Sequence, residues 1–182
     1  MAIRPISRRS FRMPRRTPTV FVVDDDPNVC RSLRFLMRSA GLEVKLFLTA
    51  EEFLQTFEVT STGCLLLDLH LPGTGVLEIQ QKLLQIRCTI PIIFMTGRGD
   101  IAVAVQCLNR GAFDFFQKPI NPRVLLARVR EAINSGSRCQ QREAAEAGSP
   151  ERNVAPETWS NTNSVDAVAR HEKYSGRDVP VV

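Results

Sequence analysis

Between residues 19 and 135, short apolar runs alternate strictly with amphipathic stretches, and few folds accommodate that order. The runs are Thr19–Val23, Glu43–Phe47, Cys64–Leu67, Pro91–Met95 and Ala112–Phe116. Thr19–Val23, Cys64–Leu67 and Pro91–Met95 are almost wholly apolar, as expected of strands buried on both faces. Pro91 is tolerable because it stands at the start of its run. Glu43–Phe47 alternates instead, which predicts an edge strand.

Helical signals fill the intervals. Pro27 opens a helix to about Ala40, with Val29, Leu33, Leu36, Met37 and Ala40 on one face and Gly41 as its stop. Thr49 and Glu52 form a capping box for a short helix to about Phe57. A third helix begins at Gly75 or Val76 and reaches about Ile86. Asp100 caps a fourth, to about Asn109. Asn121 caps a fifth, to about Asn134, with Leu125, Val129, Ala132 and Ile133 inward; Gln140–Ala147 can extend it. The order βαβαβαβαβα predicts an α/β, doubly wound domain over 19–135, a five-stranded parallel sheet between two helical layers.

Charge divides the chain into three. Residues 1–18 hold six arginines and no acid; residues 19–135 hold twelve basic and twelve acidic residues; residues 136–182 hold six and seven. The net charge of +5 therefore belongs to the arm, and a basic nucleic-acid-binding domain face is not expected. Within the arm, Ser7-Arg8-Arg9-Ser10-Phe11-Arg12 has the form of a twin-arginine export signal. An apolar h-region should follow it, but Pro14–Pro18 does instead. Residues 1–18 are expected to be a disordered basic arm. Residues 136–182 contain no Leu, Ile, Met or Phe, too little to fill a core, and are expected to be a disordered tail.

Five scattered cysteines, with no C-x-x-C, suit free thiols in a reducing cytoplasm better than disulfides or a zinc site. No segment approaches transmembrane length, so membrane association is not expected.

The first run stops abruptly at Asp24, Asp25 and Asp26. That triplet reads either as a divalent-cation site or as a solvated turn, with Asp26 as N-cap and Pro27 as first helical residue. The third run ends at Asp68, the fourth at Thr96, and Lys118 follows the fifth. In a doubly wound sheet these ends share one rim, where ligands bind. Carboxylates, a hydroxyl and an ammonium there suit a phosphoryl group and Mg²⁺, which takes oxygen ligands.

These residues resemble the response-regulator receiver domain of two-component signalling. The resemblance rests on Val22-Val23-Asp24-Asp25-Asp26-Pro27, Leu66-Leu67-Asp68-Leu69-His70-Leu71-Pro72, Ile92-Ile93-Phe94-Met95-Thr96-Gly97 and Asp114-Phe115-Phe116-Gln117-Lys118-Pro119. The chain is most similar to the nitrogen-fixation regulator branch. The resemblance implies a flavodoxin-like (βα)5 fold and a phosphorelay role rather than an enzyme's. Asp68 would accept a phosphoryl group from a sensor histidine kinase or phosphotransfer protein. Asp25 and Asp68 would ligate Mg²⁺ directly, Asp24 through a water, and His70 through its backbone carbonyl. Thr96 and Lys118 would contact the phosphoryl group, Phe115 would be the switch aromatic, and Lys118–Pro119 would be cis. Homodimerisation would use the face of helix four, strand five and helix five.

Two departures stand out. The family usually has glycine at the position of Val76, whereas here the glycine is Gly75. The branch also usually continues into a helix-turn-helix DNA-binding domain, which residues 136–182 are not expected to form. A truncated DNA-binding transcriptional regulator is the alternative reading. An aspartate-nucleophile phosphohydrolase is disfavoured, because that chemistry typically needs an acid where His70 stands.

Overall fold

A computed structural model describes residues 17–73, 75–86, 88–97 and 101–146. The remainder of the basic arm, the Asp100 cap and the tail from residue 147 lie outside the described residues. The elements are β1 Thr19–Val23, α1 Pro27–Ser39, β2 Glu43–Phe47, α2 Ala50–Thr56, β3 Gly63–Asp68, α3 Val76–Gln85, β4 Ile92–Thr96, α4 Ile101–Asn109, β5 Asp114–Gln117 and α5 Pro122–Glu146. The strands form one parallel sheet in the order β2-β1-β3-β4-β5.

The period-two geometry of the strands explains the continuous apolar runs. Val20, Val22, Cys64, Leu66, Ile93 and Met95 face one side, packing with Cys30, Leu33 and Met37 of α1 and Leu125, Val129 and Ala132 of α5. Phe21, Val23, Leu65, Leu67, Ile92 and Phe94 face the other, with Phe53 of α2, Ile79 and Leu83 of α3, and Ala104, Cys107 and Leu108 of α4. This is a three-layer, flavodoxin-like sandwich. β2 lies at one edge and its burial alternates, as its pattern predicted.

Local chemistry sets most ends. The Asp26 side chain accepts from the Asn28 amide, and Thr49 Oγ1 accepts from the Glu52 amide at 3.2 Å. Glu52 Oε2 reaches back to the amide of Leu48, one residue outside the usual box partner. Asn121 Oδ1 caps α5 at the Arg123 amide, 3.0 Å away. Gly63 starts β3 with φ 138°, and a Cβ there would fall 1.8 Å from the carbonyl oxygen of Thr19. Only glycine lets β3 approach β1 this closely.

Two boundaries differ from expectation. β5 starts at Asp114, not Ala112, because the Ala112 amide turns back to the Cys107 carbonyl at 3.0 Å and finishes α4. α5 does not stop near Asn134 but runs to Glu146, so residues 136–146 are helical rather than part of a disordered tail, and the expected extension over Gln140–Ala147 is present as far as Glu146. Tertiary contacts hold the extension. A Cβ on Gly136 would lie 2.8 Å from Pro91 Cδ, so the helix rests directly on the residue preceding β4. Gln140 Nε2 also donates to the Ser61 carbonyl at 3.1 Å, beside the start of β3. The Lys118–Pro119 peptide is cis. No described helix is long and apolar enough to cross a membrane.

Candidate functional site

The order β2-β1-β3 reverses direction between β1 and β3, and such a switch point opens a crevice at the strands' carboxyl ends. Asp24 follows β1 and Asp68 ends β3, so these acids flank that crevice. One carboxylate oxygen from each of Asp24, Asp25 and Asp68 lies within 4.8 Å of the others. Asp24 and Asp68 are buried, whereas Asp25 is exposed.

Lys118 arrives from the loop after β5. Its Nζ donates to Asp24 Oδ2 at 2.7 Å and lies 3.0 Å from Asp68 Oδ1. The Lys118 amide donates to the Thr96 carbonyl at 2.7 Å, which ties the lysine's backbone to the end of β4. Asp24 is further held by the Asp26 amide on Oδ1, at 3.0 Å. Below it, the Cys30 thiol donates to the Asp24 carbonyl at 3.3 Å. The His70 amide donates to Asp68 Oδ2 at 3.3 Å.

Electrostatics follow from this packing. Burial pushes the Asp24 carboxyl above its ordinary range, with nearby Asp68 adding to the rise and the bonds from Lys118 and Asp26 opposing it. Burial alone would lower the Lys118 ammonium, but its bonds to Asp24 and Asp68 outweigh that and hold it above the ordinary lysine value. Two carboxylates thus flank one ammonium, with the Asp25 carboxylate close beside them. Hard oxygen donors with unbalanced negative charge fit a divalent cation of the Mg²⁺ type.

The remaining expected residues lie close by in the fold. Thr96 is buried at the end of β4, and its Oγ1 donates to the Gly97 carbonyl at 3.1 Å. Phe115 is buried within the core on the α2–α4 side. His70 is exposed. Asp26 serves as the α1 cap. Gly75 is the N-cap of α3, and Val76 is the first helical residue and is buried.

Sequence reasoning missed two buried polar constellations. Arg128 Nε donates to Asp114 Oδ2 at 2.6 Å, its Nη1 pairs with Glu131, and its guanidinium lies 4.8 Å from the Phe113 ring centroid. Gln80 donates to two carbonyls near the end of α4. Each interrupts a buried stripe, Gln80 between Ile79 and Leu83, and Arg128 beside Leu125 and Val129; that interruption was the available signal.

Comparison with known proteins bears on the same residues. The family model for the response regulator receiver domain matches residues 20–130. The chain is 42% identical over 126 residues to the response regulator protein TmoT of Ectopseudomonas mendocina, covering 69% of this chain and 56% of that protein. It is 36% identical over 125 residues to the transcriptional regulatory protein FixJ of Bradyrhizobium diazoefficiens, covering 69% and 61%. Among solved structures, the response regulator StyR superposes with a TM-score of 0.69 at 39% identity, covering 72% of this chain and 67% of that one. A receiver domain from Clostridium thermocellum gives 0.63 at 25% identity, covering 66% and 97%. The chain spans about half the length of the curated relatives it matches.

Proposed function

The chain belongs to the response regulator receiver family, and from that premise we propose that Asp68 accepts a phosphoryl group from the phosphohistidine of a sensor kinase or phosphotransfer protein. An Asp68 carboxylate oxygen attacks phosphorus, the P–N bond breaks, and its electron pair leaves with the donor imidazole. The observation carrying this reading is the Lys118 ammonium, within 3.0 Å of both Asp24 and Asp68 at the end of a parallel sheet. A lysine there supports charge developing on the phosphoryl oxygens.

Asp25 and Asp68 would hold Mg²⁺ directly, with Asp24 acting through a water and the His70 carbonyl as a further ligand. When bound, the ion would neutralise charge on the acids and on the incoming phosphoryl oxygens. Thr96 would turn its hydroxyl from the Gly97 carbonyl to the phosphoryl group. Phe115 would couple that movement to the face of α4, β5 and α5, where a second copy or another protein reads the state. A cytoplasmic location is proposed because a kinase must reach Asp68 and the free thiols suit a reducing compartment.

The test is intact mass after incubation with a small phosphodonor and Mg²⁺. One base-labile phosphoryl adduct is expected on the wild type and none on Asp68→Asn. An unmodified wild type, or an adduct that survives Asp68→Asn, overturns the assignment.

A further inference from the structure

Gln80 is the one polar residue on the buried stripe that α3 forms with Val76, Ile79 and Leu83. It is 2% exposed. Its Nε2 donates to the Cys107 carbonyl at 3.1 Å and the Arg110 carbonyl at 3.2 Å. Its Oε1 is buried without a hydrogen-bond partner among the described residues. Reversing the amide would set Oε1 against two carbonyl oxygens, so the acceptors fix its orientation. An idle buried acceptor costs stability, and an apolar side chain would avoid that cost. What the amide adds is a tie between two helices.

Among the described side chains of α4, the two halves are buried differently. At its C-terminal end Cys107 and Leu108 are buried, and the Gly111 and Ala112 amides close the turn on Leu108 and Cys107. Gln80 bonds on both sides of that turn. In the stretch 102–105, Ala102 and Val103 are exposed, Val105 is half-buried and Ala104 alone is buried. Among these four residues the fully buried apolar group is one methyl, with Val105 adding part of its side chain. The stretch 102–105 is the one nearer Thr96 in the chain, and the buried end leads into β5.

We propose that Gln80 pins the C-terminal end of α4 to α3 and makes it a pivot, so that loading Asp68 moves the N-terminal half of α4 about that point. The pivot keeps the entry to β5 fixed while α4 presents a changed surface. This deepens the reading of Asp68 as phosphoacceptor and rests on it.

Hydrogen exchange followed by mass spectrometry on the full chain tests both parts, with intact mass reporting loading separately. Without phosphodonor, Gln80→Met keeps the side chain's length but has no N–H, and exchange at residues 110–112 should rise about tenfold over wild type. Unchanged exchange there overturns the pin. With phosphodonor and Mg²⁺, the wild type should change protection over 102–105 and retain it over 107–112. A uniform change along α4 overturns the pivot, and this arm needs no variant to fold. If intact mass shows no adduct, the acceptor reading has failed, while the unloaded comparison still decides the pin.

Discussion

Two buried carboxylates in this molecule each meet a cation at nearly the same distance, yet they serve opposite ends. Asp24 pairs with Lys118 at 2.7 Å, and Asp114 pairs with Arg128 at 2.6 Å. Around Lys118 the charges do not balance: Asp24 and Asp68, both buried, lie against one ammonium whose side chain is 29% exposed, and a carboxylate oxygen of Asp25 lies within 4.8 Å of theirs. Around Arg128 the buried charges balance one to one, since Asp114 and Arg128 are both below 10% exposed and the second carboxylate, Glu131, is mostly in solvent. Arg128 also stacks on Phe113 and pairs with Glu131, which locks β5 against α5. Uncompensated charge at an open strand end suits a site for a cation and an anion. Compensated charge in a closed layer holds elements together.

The comparison breaks most sharply at Asp68, where Asp68→Asn should abolish phosphoryl transfer and Asp114→Asn should retain it, as read by intact mass. Next comes the closed pair. Arg128→Met leaves the Asp114 carboxylate buried without its main partner, and should cost about 3–5 kcal/mol in urea unfolding. The double variant Arg128→Met/Asp114→Leu should recover most of that loss. A single-variant cost under about 1 kcal/mol would show that the pair is not structural.

Smaller effects separate the two sites by sign. Mg²⁺ at about a hundredfold excess over its dissociation constant should stabilise the wild type by about 2.7 kcal/mol and Asp25→Asn by much less. Thermal unfolding with and without chelator checks this. In metal-free buffer Asp24→Asn should stabilise, whereas Asp114→Asn should destabilise, as urea unfolding reads. The sign follows from burial, which raises the Asp24 carboxyl, so its ionised form is disfavoured on folding. Metal-free wild-type stability should therefore fall as pH rises from the ordinary carboxyl value through the raised one, and Asp24→Asn should flatten that fall.

The same contrast explains what could be read from the chain alone. Asp24, Asp25, Asp68 and Lys118 were legible because apolar runs break off at them, and strand ends in a doubly wound sheet converge on one rim. β1, β3 and β4 were legible because burial on both faces leaves nearly continuous Val, Leu, Ile and Phe, and β2 because its edge position leaves an alternating pattern. The pairing of Asp114 with Arg128 spans 14 residues, and the Gln80 bonds span 27 and 30, so an interrupted stripe marks Arg128 and Gln80 but no local pattern announces their partners. The run of α5 beyond Asn134 depends on Gly136 meeting Pro91 and Gln140 meeting Ser61. Composition there argued for disorder because it registers apolar content and not such contacts. The start of β5 was misplaced because Ala112 is apolar enough for a strand, while its amide is already engaged by Cys107.

The central claim is that the unbalanced rim, not the balanced interior, carries the reactive carboxylate. Hydride reduction of the loaded protein converts an aspartyl phosphate to homoserine, and peptide mass mapping then locates it. The account predicts homoserine at position 68 and unmodified Asp24, Asp25 and Asp114. Homoserine at any of those three, with Asp68 intact, would contradict it.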